Sequence, residues 1–366
     1  MNCQLAVGKR ALIAVCCLLT AVNAAAAPDC LPLKQPEKTA SLVQDQRIAQ
    51  PGRYCLQEDL FVRGYKSLAE GGRVRTISPI VVNIAISNVS IDLNGREIWS
   101  DGRLDAGVET KMSPNADYEN GLPVANPPIN LIVRNGKMKL ERDGIGVRFS
   151  GLGGIPYDRF PEVIVSDAGA SRLSDEPGAM QGGKNLPSDR EWRISQHDKV
   201  IALLPKGPAA YLQRNVLIEK MTITTQQAAI VIQGAGTVIR DNVIDVSAGT
   251  AIWIYGPGAV IENNTIIVHG RGLGQDPLLE ADAPIRLIHG DGAVIRNNRI
   301  VAAADAHHRA ISLFNTGAIK VEGNRFEGMT ANDDWAKAFL GTARVEAKDN
   351  KFGSVGVLTA AKALFR

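Results

Sequence analysis

The sequence predicts an all-β fold in which short strands stack into a solenoid. Three observations favour it: a short segment recurs five times, a second β-rich segment recurs between the copies, and the chain combines 36 Gly with only 5% aromatic residues. Copies of the first segment end on an Asn, and the intervals between these residues are 22, 34, 26 and 26. A unit of 22 residues fits one coil of three strands in a parallel β-helix. The five residues are Asn242, Asn264, Asn298, Asn324 and Asn350.

The second segment of each coil alternates apolar residues in the manner of a strand. Ile230 and Ile232 lie two apart, as do Ile252 and Ile254, so each pair shares one face of its strand. These runs are too short and too rich in β-branched residues for helices. We therefore predict strands at residues 229–233, 251–255, 285–289, 310–314 and 336–340.

The repeated Asn positions are predicted to be structural. Asn tolerates the left-handed backbone of a sharp turn, and its amide can pair with buried backbone groups. Side-chain amides stacked one coil apart can also hydrogen-bond to one another in a ladder.

Earlier coils are recognisable at residues 81–95, 129–138 and 217–223, where Met221 stands in the place of Asn. We predict that the β-helix spans residues 80–352, with an irregular insertion at 144–206 and a polar loop at 101–128, both rich in Gly and Pro. Residues 270–282 form a further excursion. Residues 27–79 are predicted to be an N-terminal arm and cap, and residues 353–366 a C-terminal cap.

Residues 1–26 have the pattern of a signal peptide, with Lys9 and Arg10 before an apolar run and small residues at its end. The run is shorter than a transmembrane helix requires, so we expect a periplasmic or secreted protein that does not span the membrane. Removing the leader lowers the formal charge from +3 to +1, which does not favour nucleic acid as a partner. It leaves only Cys30 and Cys55, which we predict to form a disulfide in an oxidising compartment.

The repeats resemble the right-handed parallel β-helix superfamily that includes pectate lyases, over residues 80–352. That resemblance implies the fold and, weakly, a groove for polysaccharide on one sheet. The motifs of its enzymes are absent: no pectate-lyase calcium acids, no complete Arg-x-Pro-x-x-Arg, and no Gly-His-Gly of polygalacturonases. His197 and Asp198 are only faintly similar to the His-Asp pair of alginate epimerases, and they lie in the insertion.

We predict a functional site where outward-facing side chains cluster near the second strands. Trp253 and Tyr255 alternate with inward Ile residues and are expected to face solvent, where they would stack on sugar rings or lie beneath a loop. Polar residues cluster on the following coils; these are Asp282, Arg286, His289, His307, His308, Arg309, Asp333 and Asp334, with Trp335 beside them. We predict substrate contacts for Trp253, Tyr255, His289, Asp333, Asp334 and Trp335.

Two functions are compatible with this pattern. A lyase or epimerase acting on uronate sugars needs a cation, from Arg286 or Arg309, and a base, from His307 or His308, whereas a hydrolase would need a carboxylate pair such as Asp282 and Asp333. The alternative is a non-catalytic solenoid that binds a glycan or a protein. We predict no metal and no cofactor, and the sequence leaves the oligomeric state open.

Overall fold

The computed structural model describes residues 30–34, 46–62, 68–70, 73–75, 80–103, 106–110, 118–119, 122–123, 127–142, 144–149, 212–247, 249–269, 283–302, 309–329 and 335–354. The predicted signal peptide lies outside these residues, as does most of the insertion. Within the described residues the secondary structure consists of strands. They are β1 (Leu31–Leu33), β2 (Gln46–Ile48), β3 (Gly52–Leu56), β4 (Leu60–Val62), β5 (Leu68–Glu70), β6 (Arg73–Arg75), β7 (Ile80–Ile84), β8 (Val89–Asp92), β9 (Glu97–Arg103), β10 (Ala106–Thr110), β11 (Tyr118–Glu119), β12 (Leu122–Pro123), β13 (Leu131–Arg142), β14 (Ile145–Phe149), β15 (Gln213–Arg214), β16 (Val216–Thr225), β17 (Ile230–Ala235), β18 (Val238–Arg240), β19 (Val243–Val246), β20 (Ile252–Tyr255), β21 (Val260–Glu262), β22 (Thr265–Val268), β23 (Ile285–Ile288), β24 (Val294–Arg296), β25 (Arg299–Ala302), β26 (Ile311–Phe314), β27 (Ala318–Glu322), β28 (Arg325–Glu327), β29 (Ala336–Leu340), β30 (Arg344–Lys348) and β31 (Lys351–Gly353).

Parallel pairing stacks these strands on three faces. Face 1 contains β2, β7, β10, β14, β17, β20, β23, β26 and β29 in that order. Face 2 runs from β3 through β8, the first half of β13 and of β16, then β18, β21, β24, β27 and β30. Face 3 runs from β4 through β9, the second halves of β13 and β16, then β19, β22, β25, β28 and β31. One coil is a strand on each face in turn, as the repeats predict.

Alternation along each strand fills the space between the faces. On face 1, Ile230, Ile252, Ile285 and Ile311 are neighbours in successive coils, and all are fully buried. Stacks of like aliphatic residues, each about 4.8 Å from the next, give the solenoid one continuous apolar core. The five predicted second strands are confirmed as β17, β20, β23, β26 and β29.

The stacking begins earlier than residue 80. Strands β2, β3 and β4 pair in parallel with β7, β8 and β9, so much of the predicted arm already belongs to the coil. Before them, β1 pairs with β3 on face 2. The predicted disulfide is present between Cys30 and Cys55, with 5.7 Å between the Cα atoms, and it holds β1 against the first coil.

Both irregular regions contain strands of face 1. β10 lies within the predicted 101–128 loop, and β14 occupies the start of the predicted 144–206 insertion. β14 ends at Phe149, which aligns with Ile232 of β17. β15 pairs with the same strand slightly further along, since Gln213 aligns with Gly234, two positions after Ile232. The insertion therefore interrupts one strand of face 1 and leaves the order of coils unchanged. Residues 150–211 lie outside the described part of the chain.

The corner between faces 2 and 3 contains the predicted Asn ladder. The Asn242 oxygen accepts from the backbone N–H of Met221. From Asn264 onward, each ladder amide oxygen accepts from the backbone N–H and the side-chain amide of the preceding Asn; from Asn264 to Asn298 both distances are 2.9 Å. Asn242, Asn264, Asn298 and Asn324 are 1% exposed. The left-handed residue is, however, the one before each ladder Asn, because the ladder side chain turns inward. These preceding residues are Asp241, Asn263, Asn297, Gly323 and Asp349.

The outer side of face 2 carries opposite charges on successive coils. Arg134 lies 3.0 Å from Asp92, Arg240 lies 2.7 Å from Glu219, and Arg296 lies 2.6 Å from Glu262. Aligned in one row, opposite charges favour the native register, since a shift by one coil would place like charges together. The full row is Asp92, Arg134, Glu219, Arg240, Glu262, Arg296, Glu322 and Lys348.

Candidate functional site on face 1

The long connections of the chain lie next to face 1. The segments between β10 and β13, β14 and β15, β22 and β23, β25 and β26, and β28 and β29 all begin or end on a strand of face 1. By contrast, two residues link face 2 to face 3 in each coil of the Asn ladder, as between Arg240 and Val243. In a scaffold of this kind binding residues concentrate beside the variable connections, so face 1 is the first place to look for a site.

One outward side chain from each coil forms a continuous row on this face, which we call the outer row. Its neighbours are about 4.8 Å apart along the helix axis. The outer row consists of Arg47, Asn83, Glu109, Arg148, Val231, Trp253, Arg286, Ser312 and Lys337.

Arg286 lies between aromatic rings. Its guanidinium carbon is 4.7 Å from the centroid of the Trp253 ring and 5.9 Å from that of Phe314. Stacking on an indole face stabilises a guanidinium through the ring quadrupole. Trp253 is half-buried and Arg286 is 3% exposed. Arg286 is therefore a buried group on the sheet that stacks on Trp253, and it is not a solvated turn residue.

A second outward row is apolar and buried, which corrects the expectation for Tyr255. Tyr255 points outward, as the alternation predicts, but only 4% of it is exposed because it packs with Leu212, Ile288 and Phe314. His289 follows at the end of β23 with φ of 51°, and its ring meets the Tyr255 ring edge-on at 5.1 Å. Tyr255 thus serves to pack His289 and the outer side of the sheet, and it does not offer a free face to a sugar.

Of the other predicted residues, two are described. Arg309 is half-buried at the corner before β26. Trp335 contacts Phe326 at 5.4 Å and Phe352 at 5.7 Å and packs against the core. Asp282, His307, His308, Asp333 and Asp334 lie outside the described residues, so their roles stay predictions.

The sequence reasoning missed a buried ion pair in the outer row. Arg148 donates to Glu109 Oε1 from Nε at 2.9 Å and from Nη2 at 2.8 Å, and the side chains are 7% and 1% exposed. Aligning Gly107-Val-Glu109 with Gly146-Val-Arg148 would have revealed it, but both triplets lie in regions predicted to be loops. The pair adds a charged group three coils before Arg286 on the same face.

Outside face 1, His269 and Glu327 are among the titratable groups with shifted pKa values. On face 3, His269 Nε2 lies 2.7 Å from Asp245 Oδ1, and this hydrogen bond raises the pKa of His269. Glu327 accepts from Arg299 and pairs with Arg325, and the hydrogen bond from Arg299 holds the pKa of Glu327 below its usual value. In the described part of the chain, no three His, Cys, Asp or Glu side chains come together as metal ligands would.

Comparison with known proteins agrees with the architecture. Residues 207–354 match the family model described as the right handed beta helix region. No curated protein sequence matches the chain. None of the described segments is a helix long and apolar enough to cross a membrane.

Two solved structures are similar over most of their length. A hyperthermoactive exopolygalacturonase from Thermotoga maritima is 12% identical, with 82% of this chain and 73% of that chain covered and a TM-score of 0.27. The Streptococcus pneumoniae surface protein and adhesin PfbA is 12% identical, with 85% and 91% covered and a TM-score of 0.15. Such low scores carry no argument about activity. The family match over residues 207–354 and the stacked parallel strands show that the chain has the right-handed parallel β-helix fold.

Proposed function

We propose that this is a secreted or periplasmic protein that binds a carboxylated polysaccharide along the outer row of face 1. The observation that carries the proposal is the alignment of Trp253, Arg286 and Lys337 in one outward row beside the long connections. A neutral glycan would use the aromatic ring alone, whereas a uronate chain would use the ring and the partly exposed Lys337, with the buried Arg286 adding positive charge beneath the row.

The chemistry of these side chains suits an acidic sugar polymer. Trp253 can stack on the apolar face of a sugar ring, and Arg286 and Lys337 are two coils apart, about 10 Å along the axis. Ser312 lies between them and is fully buried, so the exposed part of the row near Arg286 is formed by Trp253 and Lys337. Charge-assisted hydrogen bonds to carboxylates are the stronger kind, so a uronate chain would be recognised by charge at Lys337 and by ring stacking at Trp253.

Catalysis is the second part of the proposal. A uronate lyase or epimerase removes the proton beside the sugar carboxylate, which requires a cation to neutralise that carboxylate and a base to take the proton. Arg286 or Arg309 would supply the cation and His307 or His308 the base. A binding solenoid without this reaction remains the competing function, and product analysis separates the two.

The signal-peptide pattern and the Cys30–Cys55 disulfide support export, because structural disulfides form in oxidising compartments. Cell fractionation of the producing organism tests this point. Recovery of the full-length chain, with its leader intact, in the cytoplasmic fraction would contradict it.

The binding test compares two lysines. Lys337→Gln removes a cation from the outer row of face 1, and Lys320→Gln removes one from the exposed outer side of face 2. We expect Lys337→Gln to weaken binding to polygalacturonate or alginate by about 10-fold, equivalent to one charge-assisted hydrogen bond, while Lys320→Gln binds as the wild type does. Calorimetric titration at low and high salt measures both, and a neutral glucan is the ligand control.

Trp253→Ala should weaken binding to every polysaccharide that the wild type binds, since stacking does not depend on charge. Ultraviolet absorbance of unsaturated ends then detects a lyase, and proton NMR of the sugar composition detects an epimerase. Binding without either product would leave the non-catalytic function. The proposal fails if no carboxylated polysaccharide binds, or if both lysine variants lose affinity equally.

A further inference from the structure

Face 2 carries an apolar strip beside its row of charges. One outward position in each coil lies two residues before the charged one, as Val238 does before Arg240 on β18. The strip and the row therefore run side by side, about 7 Å apart. In five successive coils this position holds an aliphatic residue that is half-buried on the outer side of the sheet. The strip consists of Ile132, Leu217, Val238, Val260 and Val294.

The side chains of the strip are not part of the core. In the described part of the chain none of them belongs to a buried apolar cluster, whereas Ile239 and Ile261, the next residues along two of these strands, are fully buried. Five coils give the strip a length of about 19 Å. A contiguous apolar patch on the outer surface of a protein is typical of a contact with another molecule.

The charges beside the strip define the kind of partner that face 2 can bind. Four acids and four bases alternate from Asp92 to Lys348, so the row has no net charge. A uniformly charged polymer or an anionic membrane would meet as many repulsive groups as attractive ones. A complementary partner alternates its charges at the same spacing of about 4.8 Å, and a second copy of face 2 does so.

Antiparallel pairing of two copies brings opposite charges together along the whole row. Because the signs alternate and the numbers of acids and bases are equal, reversing the row places a base at each position of an acid. A two-fold axis between Arg240 and Glu262 sets Arg240 against Glu262 of the second copy, and it sets Asp92 against Lys348. A displacement by one coil sets like charges against each other, which is unfavourable, so the charges define the register of the pairing.

The same axis makes the apolar strip complementary to itself. Val238 then lies against Val260 of the second copy, and Leu217 lies against Val294. The centre of the contact is thus aliphatic on both sides, and charged pairs border it. An apolar centre with a polar border is typical of homodimer interfaces, and a closed two-fold contact uses the same patch on both copies.

We infer that two copies of this chain form an antiparallel dimer through face 2, with the two-fold axis between the coils of Val238 and Val260. Parallel pairing is disfavoured, because a two-fold axis along the solenoid sets the charge row of each copy away from that of the other. Face 1 lies outside the contact, so this inference does not rest on the proposed polysaccharide site.

Two valines of one coil test the contact in the full-length protein. Val238→Asp places a carboxylate in the apolar strip, and Val243→Asp makes the same change on the outer side of face 3, where Val243 is 45% exposed. We expect sedimentation equilibrium to give a dimer for the wild type and a dimer Kd at least about 10-fold higher for Val238→Asp, because the contact would bury an unpaired charge. Val243→Asp should dimerise as the wild type does.

Charge reversal tests the register. Arg240→Glu gathers four acids around the two-fold axis of a homodimer, and Glu262→Arg gathers four bases there. Each variant alone should dimerise at least about 10-fold more weakly than the wild type. An equimolar mixture should form a heterodimer with nearly wild-type affinity, because the acids of one chain then face the bases of the other. Contacts within each chain are the same in the mixture as in the separate variants, so only contacts between chains can cause this recovery.

Circular dichroism of each variant establishes that the coil has folded before the masses are compared. A wild type that sediments as a monomer at every concentration would overturn the inference, as would equal dimerisation of the wild type and Val238→Asp. If the wild type dimerises and the mixture of charge variants does not, the two copies do not meet in the antiparallel register, and the inference is wrong.

Discussion

His269 is held by Asp245 on the outer side of face 3, and this contact makes part of the stability of the fold depend on pH. The hydrogen bond that His269 donates to the Asp245 carboxylate raises the pKa of His269 above 6.5, and burial opposes this shift. Because the folded protein holds the proton more tightly than the unfolded chain, protonation of His269 stabilises the fold. That contribution is fully present below the unfolded pKa and is lost as pH rises through the folded pKa.

We therefore expect His269→Gln to lower the Tm more at pH 5.5 than at pH 8.5, on the two sides of the unfolded His pKa of about 6.5. Thermal unfolding followed by circular dichroism across this range gives the difference between variant and wild type. Asp245→Asn should produce the same pH dependence. A Tm difference that stays constant or grows with pH would contradict the assignment.

Trp253 and Tyr255 show how far single residues could be read from the sequence. Alternation with Ile252 and Ile254 gave the outward direction of both side chains correctly. It could not give their exposure, because burial of an outward residue depends on what lies beyond the strand. Tyr255 is buried through Leu212, Ile288 and Phe314, which come from other coils and from the end of the insertion.

In the Asn ladder, at the corner between faces 2 and 3, several buried polar groups hydrogen-bond to a single Asn side chain. The Asn298 oxygen accepts from the backbone and the amide of Asn264, while its own amide donates to Ile261, Arg296 and Asn324. Removing it leaves donors and acceptors of two neighbouring coils buried without their partner. Such losses cost far more than the net value of the bonds themselves.

Asn298→Ala is expected to destabilise the protein by about 3 kcal/mol, the cost of leaving one to three buried polar groups unpaired. Asn297→Gly is the matched control, since Asn297 is exposed with φ of 55°, a conformation that Gly adopts readily. Urea unfolding of both variants measures the difference. Equal midpoints for Asn298→Ala and Asn297→Gly would mean that the ladder adds nothing to stability.

Strands that belong to the repeat could be predicted from the sequence, and strands outside the repeat could not. Strands β17 to β31 carry the Asn-ended segment, so their order and spacing followed from the sequence. Strands β10 and β14 lack the Asn-ended segment and lie next to Gly- and Pro-rich segments, so the sequence predicts loops there. Their pairing is set by backbone hydrogen bonds to neighbouring coils, such as Val147 to Ala229, which need no particular side chain.

At the scale of the molecule, each coil contacts only its neighbours, so stability is approximately a sum of coil and interface contributions. The stability of each end of the solenoid can then be considered separately. The N-terminal end is secured by a covalent bond between Cys30 and Cys55, which closes a loop across a sequence separation of 25 residues. Closing such a loop contributes about 3 kcal/mol by restricting the unfolded chain.

The double variant Cys30→Ser, Cys55→Ser should therefore lose stability locally. We expect faster amide hydrogen exchange in β3 and β8, which lie next to the disulfide, and wild-type exchange in β24 and β27, many coils away. Hydrogen exchange measured by mass spectrometry resolves these strands, and adding reductant to the double variant is the control, since it should change nothing further. If exchange rises equally in all coils, the solenoid unfolds as a single cooperative unit, and its ends cannot be treated separately. If it rises only near β3, the disulfide stabilises the first coil alone, as expected from its position between β1 and β3.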